Sequence, residues 1–192
     1  MVTGLDLVAL QIKVAEGNPL GLSQDDVRMD GHAMEVRLYA EDPANNFMPR
    51  TGQIALWQPA VAEGVRFDAG VQSGQEISPF YDPMIAKVIA WGEDRETARH
   101  RLVEALKDCL LFGSTTNRRF LIDVLQRETF ALGKATTAFI DEEFSEDDLA
   151  EDFGGFREAA ISAVIMYNLE RHVAFDASEG VTPELLNWSS GG

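Results

Sequence analysis

An α+β fold, in which a small antiparallel sheet or barrel-like domain is flanked by an αα pair and further helices lie at both ends, is predicted by three observations. Between Val27 and Val88, short alternating segments recur about every ten residues and are separated by Pro or Gly, the punctuation of antiparallel strands. From Asp94 to Leu125 the apolar spacing becomes that of helices. Strands followed by helices, without strict alternation, argue against a parallel βαβ sheet.

The first element is a helix over residues 4–16, where Leu5, Val8, Ile12 and Ala15 share one face, Gly17 supplies the stop and Pro19 follows. Lying ahead of any core, it is expected to trail from a preceding domain, so that residues 1–22 form that helix, 23–144 the main domain and 145–192 an acidic linker and the start of a following domain. Ser23-Gln24-Asp25-Asp26 reads as a capped turn, with the Ser23 hydroxyl accepting a backbone N–H. Strands are expected over 31–40, 52–58, 64–68, 74–78 and 84–91, with turns at Asn45-Asn46 and Arg50-Thr51-Gly52 and positive φ available at Gly70 and Gly74. Asp94 opens a helix carrying Ala98, Leu102, Leu106 and Cys109/Leu110, which Gly113 ends. Thr116 or Asn117 caps a second helix with Phe120, Leu121, Val124 and Leu125 as its buried stripe. Residues 133–144 read as coil, and the acidic run 145–152 as a solvated linker or exposed helical turn. Over 156–174, Phe156, Ala160/Ile161, Val164/Ile165, Leu169 and Val173 keep helical spacing.

Composition narrows the function classes. A hydrophobic content of 45% over 192 residues suits one good globular core. No apolar run reaches the roughly 20 residues of a membrane-crossing helix, so no membrane partner is expected. Thirty-two acidic residues against sixteen basic ones give a net charge of −16, which repels a polyanion and argues against nucleic acid. The single cysteine, Cys109, excludes an internal disulfide and reads as a buried inert thiol. His32, His100 and His172 have no metal-binding spacing, so no metal site is expected.

The stretch Gly31 to Pro43 carries the functional signal. Alternation places Ala33, Glu35, Arg37 and Tyr39 on one strand face, with His32, Met34, Val36 and Leu38 on the other. Glu35 and Arg37 then lie about 7 Å apart at Cα. Either a solvated surface ion pair or an arginine aimed at an anion fits that pattern, and spacing does not choose between them.

GHAMEVRLYAEDP, NFMPRTGQI, GVRFDAGV, Tyr81-Asp82-Pro83-Met84-Ile85-Ala86-Lys87 and GSTTNRRFL occur in that order. Together, over roughly residues 3–144, they resemble the C-terminal subdomain of biotin carboxylase as found in acetyl-, propionyl- and methylcrotonyl-CoA carboxylases. The resemblance implies a part of a ligase that carboxylates biotin with ATP and bicarbonate. Carboxyphosphate breakdown there supplies CO₂ and a phosphate that deprotonates the ureido nitrogen, and Arg37 would meet the negative oxygen of the ureido enolate. A guanidinium stays charged and offers a planar fork to an oxyanion. Asp82, restricted by Pro83, and Glu35 are the two carboxylates implied to hold Arg37 still, and the sequence does not decide between them. Arg66 and Met84 match positions at the family's two-fold dimer interface, and Thr137 a position that closes over adenine. Glu63 departs from the pattern, since some members carry an aromatic residue there.

No Gly-rich phosphate loop, lysine pair, Mg²⁺-binding glutamate pair or Met-Lys-Met biotin-attachment word is found, so the chain reads as a fragment lacking the ATP-grasp core and inactive alone. ATP and Mg²⁺ are implied for the full-length enzyme and biotin for a carrier domain elsewhere, with none expected on this stretch. The implied partners are a second copy, a carboxyltransferase subunit and the biotin carrier domain. The acidic linker and amphipathic helix favour an acyl-CoA carboxylase α chain, of fatty acid metabolism, in the bacterial cytoplasm or mitochondrial matrix. A pyruvate or urea carboxylase, or a non-catalytic dimerisation module using Arg66 and Met84, is the alternative.

Overall fold

The computed structural model describes residues 1–150, 159, 161, 163–165, 167 and 168. The chain divides into two units, Met1–Ala150 and Glu151–Gly192. The described residues of the second unit are helical. Of the apolar stripe expected there, Phe156, Ala160, Leu169 and Val173 lie outside the described residues.

The first unit opens with helix α1 (Leu7–Ala15), capped by Asp6, whose carboxylate accepts the Ala9 N–H at 2.9 Å. The helix therefore starts three residues later than expected and leaves Leu5 outside it. Gly17, at φ +84°, ends it as predicted. In the turn that follows, Ser23 and Asp26 form the expected capping box, and the Ser23 N–H and hydroxyl each donate to the Asp26 carboxylate at 2.8 Å.

Among the described residues the strands are β1 (His32–Tyr39), β2 (Glu41–Asp42), β3 (Met48–Pro49), β4 (Gly52–Gln53), β5 (Leu56–Gln58), β6 (Val65–Ala69), β7 (Glu76–Ile77), β8 (Met84–Gly92) and β9 (Leu110–Phe112). The main sheet is antiparallel in the order β1-β8-β6, and the remaining strands form the ribbons β2/β3, β4/β7 and β5/β9. The small sheets do not close into a barrel. Register aligns Met34, Ala90 and Val65 in one row and Val36, Val88 and Phe67 in another, which builds one apolar face. Helix α2 (Arg95–Asp108) covers that face with Ala98, Leu102, Val103, Ala105 and Leu106, all buried. Burial of each such leucine is worth about 1.5–3 kcal/mol. Close packing extends to the junction between strand and helix, where a Cβ added at Gly92 would sit 2.5 Å from the Ala98 nitrogen.

Two expected elements are corrected. Residues 52–58 are not one strand, because the backbone changes partner in the middle: the Ile54 N–H donates to Gln75 O at 2.8 Å and the Ala55 N–H to Phe112 O at 2.8 Å. Helix α2 does not run on to Gly113 but ends at Asp108, and Leu110–Phe112 becomes the partner strand of β5. The Arg118 guanidinium donates to the Cys109 carbonyl just past the helix end. Cys109 is buried as expected, and burial pushes its thiol pKa up against the opposing charge of Arg118.

Helix α3 (Arg118–Gln126) packs on α2 through Leu125, completing the αα pair, and Arg99 donates to the Leu125 carbonyl at 2.9 Å. Two short helices follow, α4 (Glu128–Ala131) and α5 (Phe139–Glu143), the second in a stretch expected to be coil. Phe139 is buried there, and Phe144 stacks edge-on against both it and Phe120. Helix α6 (Glu146–Leu149) is the exposed turn allowed by the acidic run.

Candidate active-site face of the sheet

The outer face of the main sheet carries the charged residues of its three strands. Register places Arg37, Lys87 and Asp68 in one cross-strand row and Glu35, Ile89 and Arg66 in the next. Ile89 is only 6% exposed yet lies outside the main core cluster. Asp68 is engaged by Arg66 at 3.0 Å and by Lys87 at 4.0 Å. Arg37 and Glu35 are both exposed, and among the described residues neither side chain makes a hydrogen bond or ion pair. Two cations directly opposite one another on an antiparallel pair repel. With Asp68 shared between Arg66 and Lys87, Arg37 is the cation of its row left without an ion pair among the described residues, on a chain of net charge −16.

Backbone contacts fix the end of β1. The pairing of β1 with β8 slips between Leu38 and Tyr39, where Tyr39 aligns with Met84. Asn117, at the N-terminus of α3 and 5% exposed, accepts the Tyr39 N–H at 2.9 Å and donates its amide to the Arg37 carbonyl at 3.3 Å. Its own N–H donates to Tyr39 O at 3.2 Å. Just beyond, Ala40 N–H donates to Pro83 O at 3.0 Å, which ties the Tyr81 to Pro83 loop to the same place.

Asp82 is exposed and its carboxylate accepts the Met84 N–H at 2.9 Å. No hydrogen bond joins it to Arg37. Its charge is felt instead by Glu41, whose carboxyl is raised in pKa first by burial and then by Asp82. In the same AEDP word, Asp42 is buried and paired with Arg50, while its Oδ1 has no donor among the described residues. Thr137 is exposed on the loop before α5, away from any described side-chain partner. Arg66 is exposed and Met84 half-buried on adjacent strands of the main sheet, and Glu63 is exposed just before β6. Among the described residues, no group of three or more His, Cys, Asp or Glu converges in a metal-binding arrangement.

Sequence reasoning missed two participants. Lys87 is a lone cation in the apolar run of β8, a visible signal, but its opposition to Arg37 depends on register. Asn117 reads as an ordinary cap, and its bonds to β1 cross 78 and 80 residues of chain, beyond any local pattern.

Residues 35–142 match the family described as the biotin carboxylase C-terminal domain. The chain belongs to that family. It is 42% identical over 142 residues to a biotin carboxylase of Nostoc sp., covering 74% of this chain and 32% of that protein. It is also 41% identical over 165 residues to the mitochondrial methylcrotonoyl-CoA carboxylase α subunit of Arabidopsis thaliana, covering 85% of this chain and 22% of that one. Among solved structures, the biotin carboxylase domain dimer of Hydrogenobacter thermophilus 2-oxoglutarate carboxylase, in complex with MgADP, ADP and bicarbonate, matches at a TM-score of 0.75 and 35% identity. That match covers 79% of this chain and 33% of the other. The chain thus spans about a third or less of the length of these relatives. No described helix is long and apolar enough to cross a membrane.

Proposed function

We propose that this chain is the C-terminal part of the biotin carboxylase component of an acyl-CoA carboxylase, and that Arg37 is its contribution to the chemistry. Biotin, on its carrier, supplies the carboxyl-accepting ureido group, whose oxygen gains negative charge when the ring nitrogen is deprotonated. The observation that carries the reading is the unneutralised Arg37 beside Lys87 on a rigid, hydrogen-bonded strand. A fixed guanidinium lowers the cost of charge that develops only in the transition state. Glu35, two positions from Arg37 on the same strand face, and Asp82 are proposed as the carboxylates that steady Arg37 in the complete site.

Arg66 and Met84 are proposed as part of a two-fold surface, in keeping with the dimer of the Hydrogenobacter domain. Thr137 is proposed to approach the nucleotide. A lone exposed threonine cannot hold ATP, so the nucleotide and Mg²⁺ are assigned to the region that the relatives possess and this chain does not span. An acyl-CoA parent is proposed from the acidic run and the helical positions after it. The test is Arg37→Ala in a full-length polypeptide that joins the ATP-binding region to this chain. The rate of biotin carboxylation is expected to fall about 100- to 1,000-fold, the size of effect seen when one preorganised donor is removed, with the KM for ATP unchanged. Wild-type turnover in that variant refutes the role.

A further inference from the structure

We infer that Asn117 is a positioning residue that sets the aim of Arg37 by holding the backbone around it, an assignment that rests on the reading of Arg37 above. Arg37 has no described side-chain partner, so the direction of its guanidinium is governed by the φ and ψ angles of its own strand. Strand β1 is at the edge of the sheet, with β8 on one side only. At Leu38/Tyr39 even that ladder slips. On the open side, the Arg37 carbonyl and the Tyr39 N–H would be left without strand partners. The Asn117 carboxamide meets both, accepting at 2.9 Å and donating at 3.3 Å, in the pattern of a neighbouring peptide group. Its main-chain N–H adds a third bond, to Tyr39 O at 3.2 Å.

Two further observations separate this from ordinary capping. Asn117 stands at the N-cap of α3, where its side chain would normally accept a helix N–H, yet no such bond is made. Its support is also rigid: α3 is seated by the fully buried Leu125, by Arg99 on the Leu125 carbonyl and by Arg118 on the Cys109 carbonyl. A side chain held this way transmits its position to the strand rather than following it.

The test compares Asn117→Ala, Asn117→Asp, Arg37→Ala and the double variant Asn117→Ala/Arg37→Ala in the full-length polypeptide. Asn117→Ala is expected to lower kcat for biotin carboxylation about 10- to 100-fold, with the KM for ATP unchanged. The double variant should be no slower than Arg37→Ala alone, because both losses run through one guanidinium. Asn117→Asp keeps the shape and the acceptor for Tyr39 but turns an oxygen on the Arg37 carbonyl, so it should show the same loss while keeping the other two bonds. Hydrogen exchange supplies a readout independent of turnover. The Tyr39 amide should exchange about tenfold faster in Asn117→Ala, while the amides of β6 stay protected. Leu111→Ala in β9 serves as the control, removing a core contact remote from Asn117 and β1 and lowering stability without lowering kcat. A slow Arg37→Ala with Asn117→Ala at wild-type kcat, or losses that multiply in the double variant, overturns the positioning role alone. Arg37→Ala at wild-type rate overturns the reading of Arg37 and this inference with it.

Discussion

Helices α1 and α2 invert the usual link between apolar composition and burial. Helix α1, Leu-Val-Ala-Leu-Gln-Ile-Lys-Val-Ala, has one charged residue and buries none of its nine. Helix α2 carries Arg95, Glu96, Arg99, Arg101, Glu104, Lys107 and Asp108, yet buries six of its fourteen. The difference lies in arrangement. In α2 the apolar residues Ala98, Leu102, Ala105 and Leu106 form a stripe that meets the inner face of the sheet, and of the charged residues only Arg99 is buried, on the Leu125 carbonyl. In α1 the apolar residues go round the helix, and Ile12 remains 56% exposed. A stripe matched to a facing surface decides burial, whereas apolar content alone does not.

Equal truncations in the two helices give the largest test of that contrast. Leu106→Ala in α2 should cost about 2–5 kcal/mol of unfolding free energy in a denaturant titration, while Ile12→Ala in α1 should stay within about 0.5 kcal/mol. Equal losses would show that α1 is packed in solution. Gly92→Ala comes next, at about 1–3 kcal/mol by overpacking, because its Cβ would press on the start of α2 and not on α1. The caps sharpen the comparison further: Asp94→Ala, which removes the 2.7 Å bond from Thr97 N, should cost about 1 kcal/mol globally. Asp6→Ala at α1 should reduce local helicity without moving the unfolding midpoint.

The smallest effect belongs to α6, a second surface helix that buries nothing. The Ser145 hydroxyl, then the Ser145 N–H and then Arg127 hold the Asp148 carboxyl at about 2, below its ordinary 3.8. Because the folded value is lowered, its contribution is complete above pH 3.8 and is lost as pH falls towards 2. NMR shifts of 145–149 should therefore change in that window while the core amides stay protected, and Ser145→Ala should move the Asp148 titration upward.

Much of this was legible locally. Period-two alternation located β1 and put Glu35 and Arg37 on its outer face, and Gly17 and Asp94 marked helix ends because caps act within a few residues. Strand β9 was not legible, since Leu110-Leu111-Phe112 continues an apolar helical pattern and is a strand only because β5 lies beside it. The same holds for the change of partner at Ile54. At the site, the residue types could be read, but the opposition of Arg37 to Lys87 required the register, and the role of Asn117 required the tertiary fold.

The bonds from Asn117 to β1 also impose an order in time. A ribosome delivers β1 and its partner β8 well before residue 117, so the sheet and α2 can pair while one edge of β1 is still bare. Only when the start of α3 has emerged and docked does the second edge close. The strand that presents the guanidinium is therefore synthesised ahead of the residue that sets it, and a chain interrupted before Asn117 would hold its arginine in a loose frame.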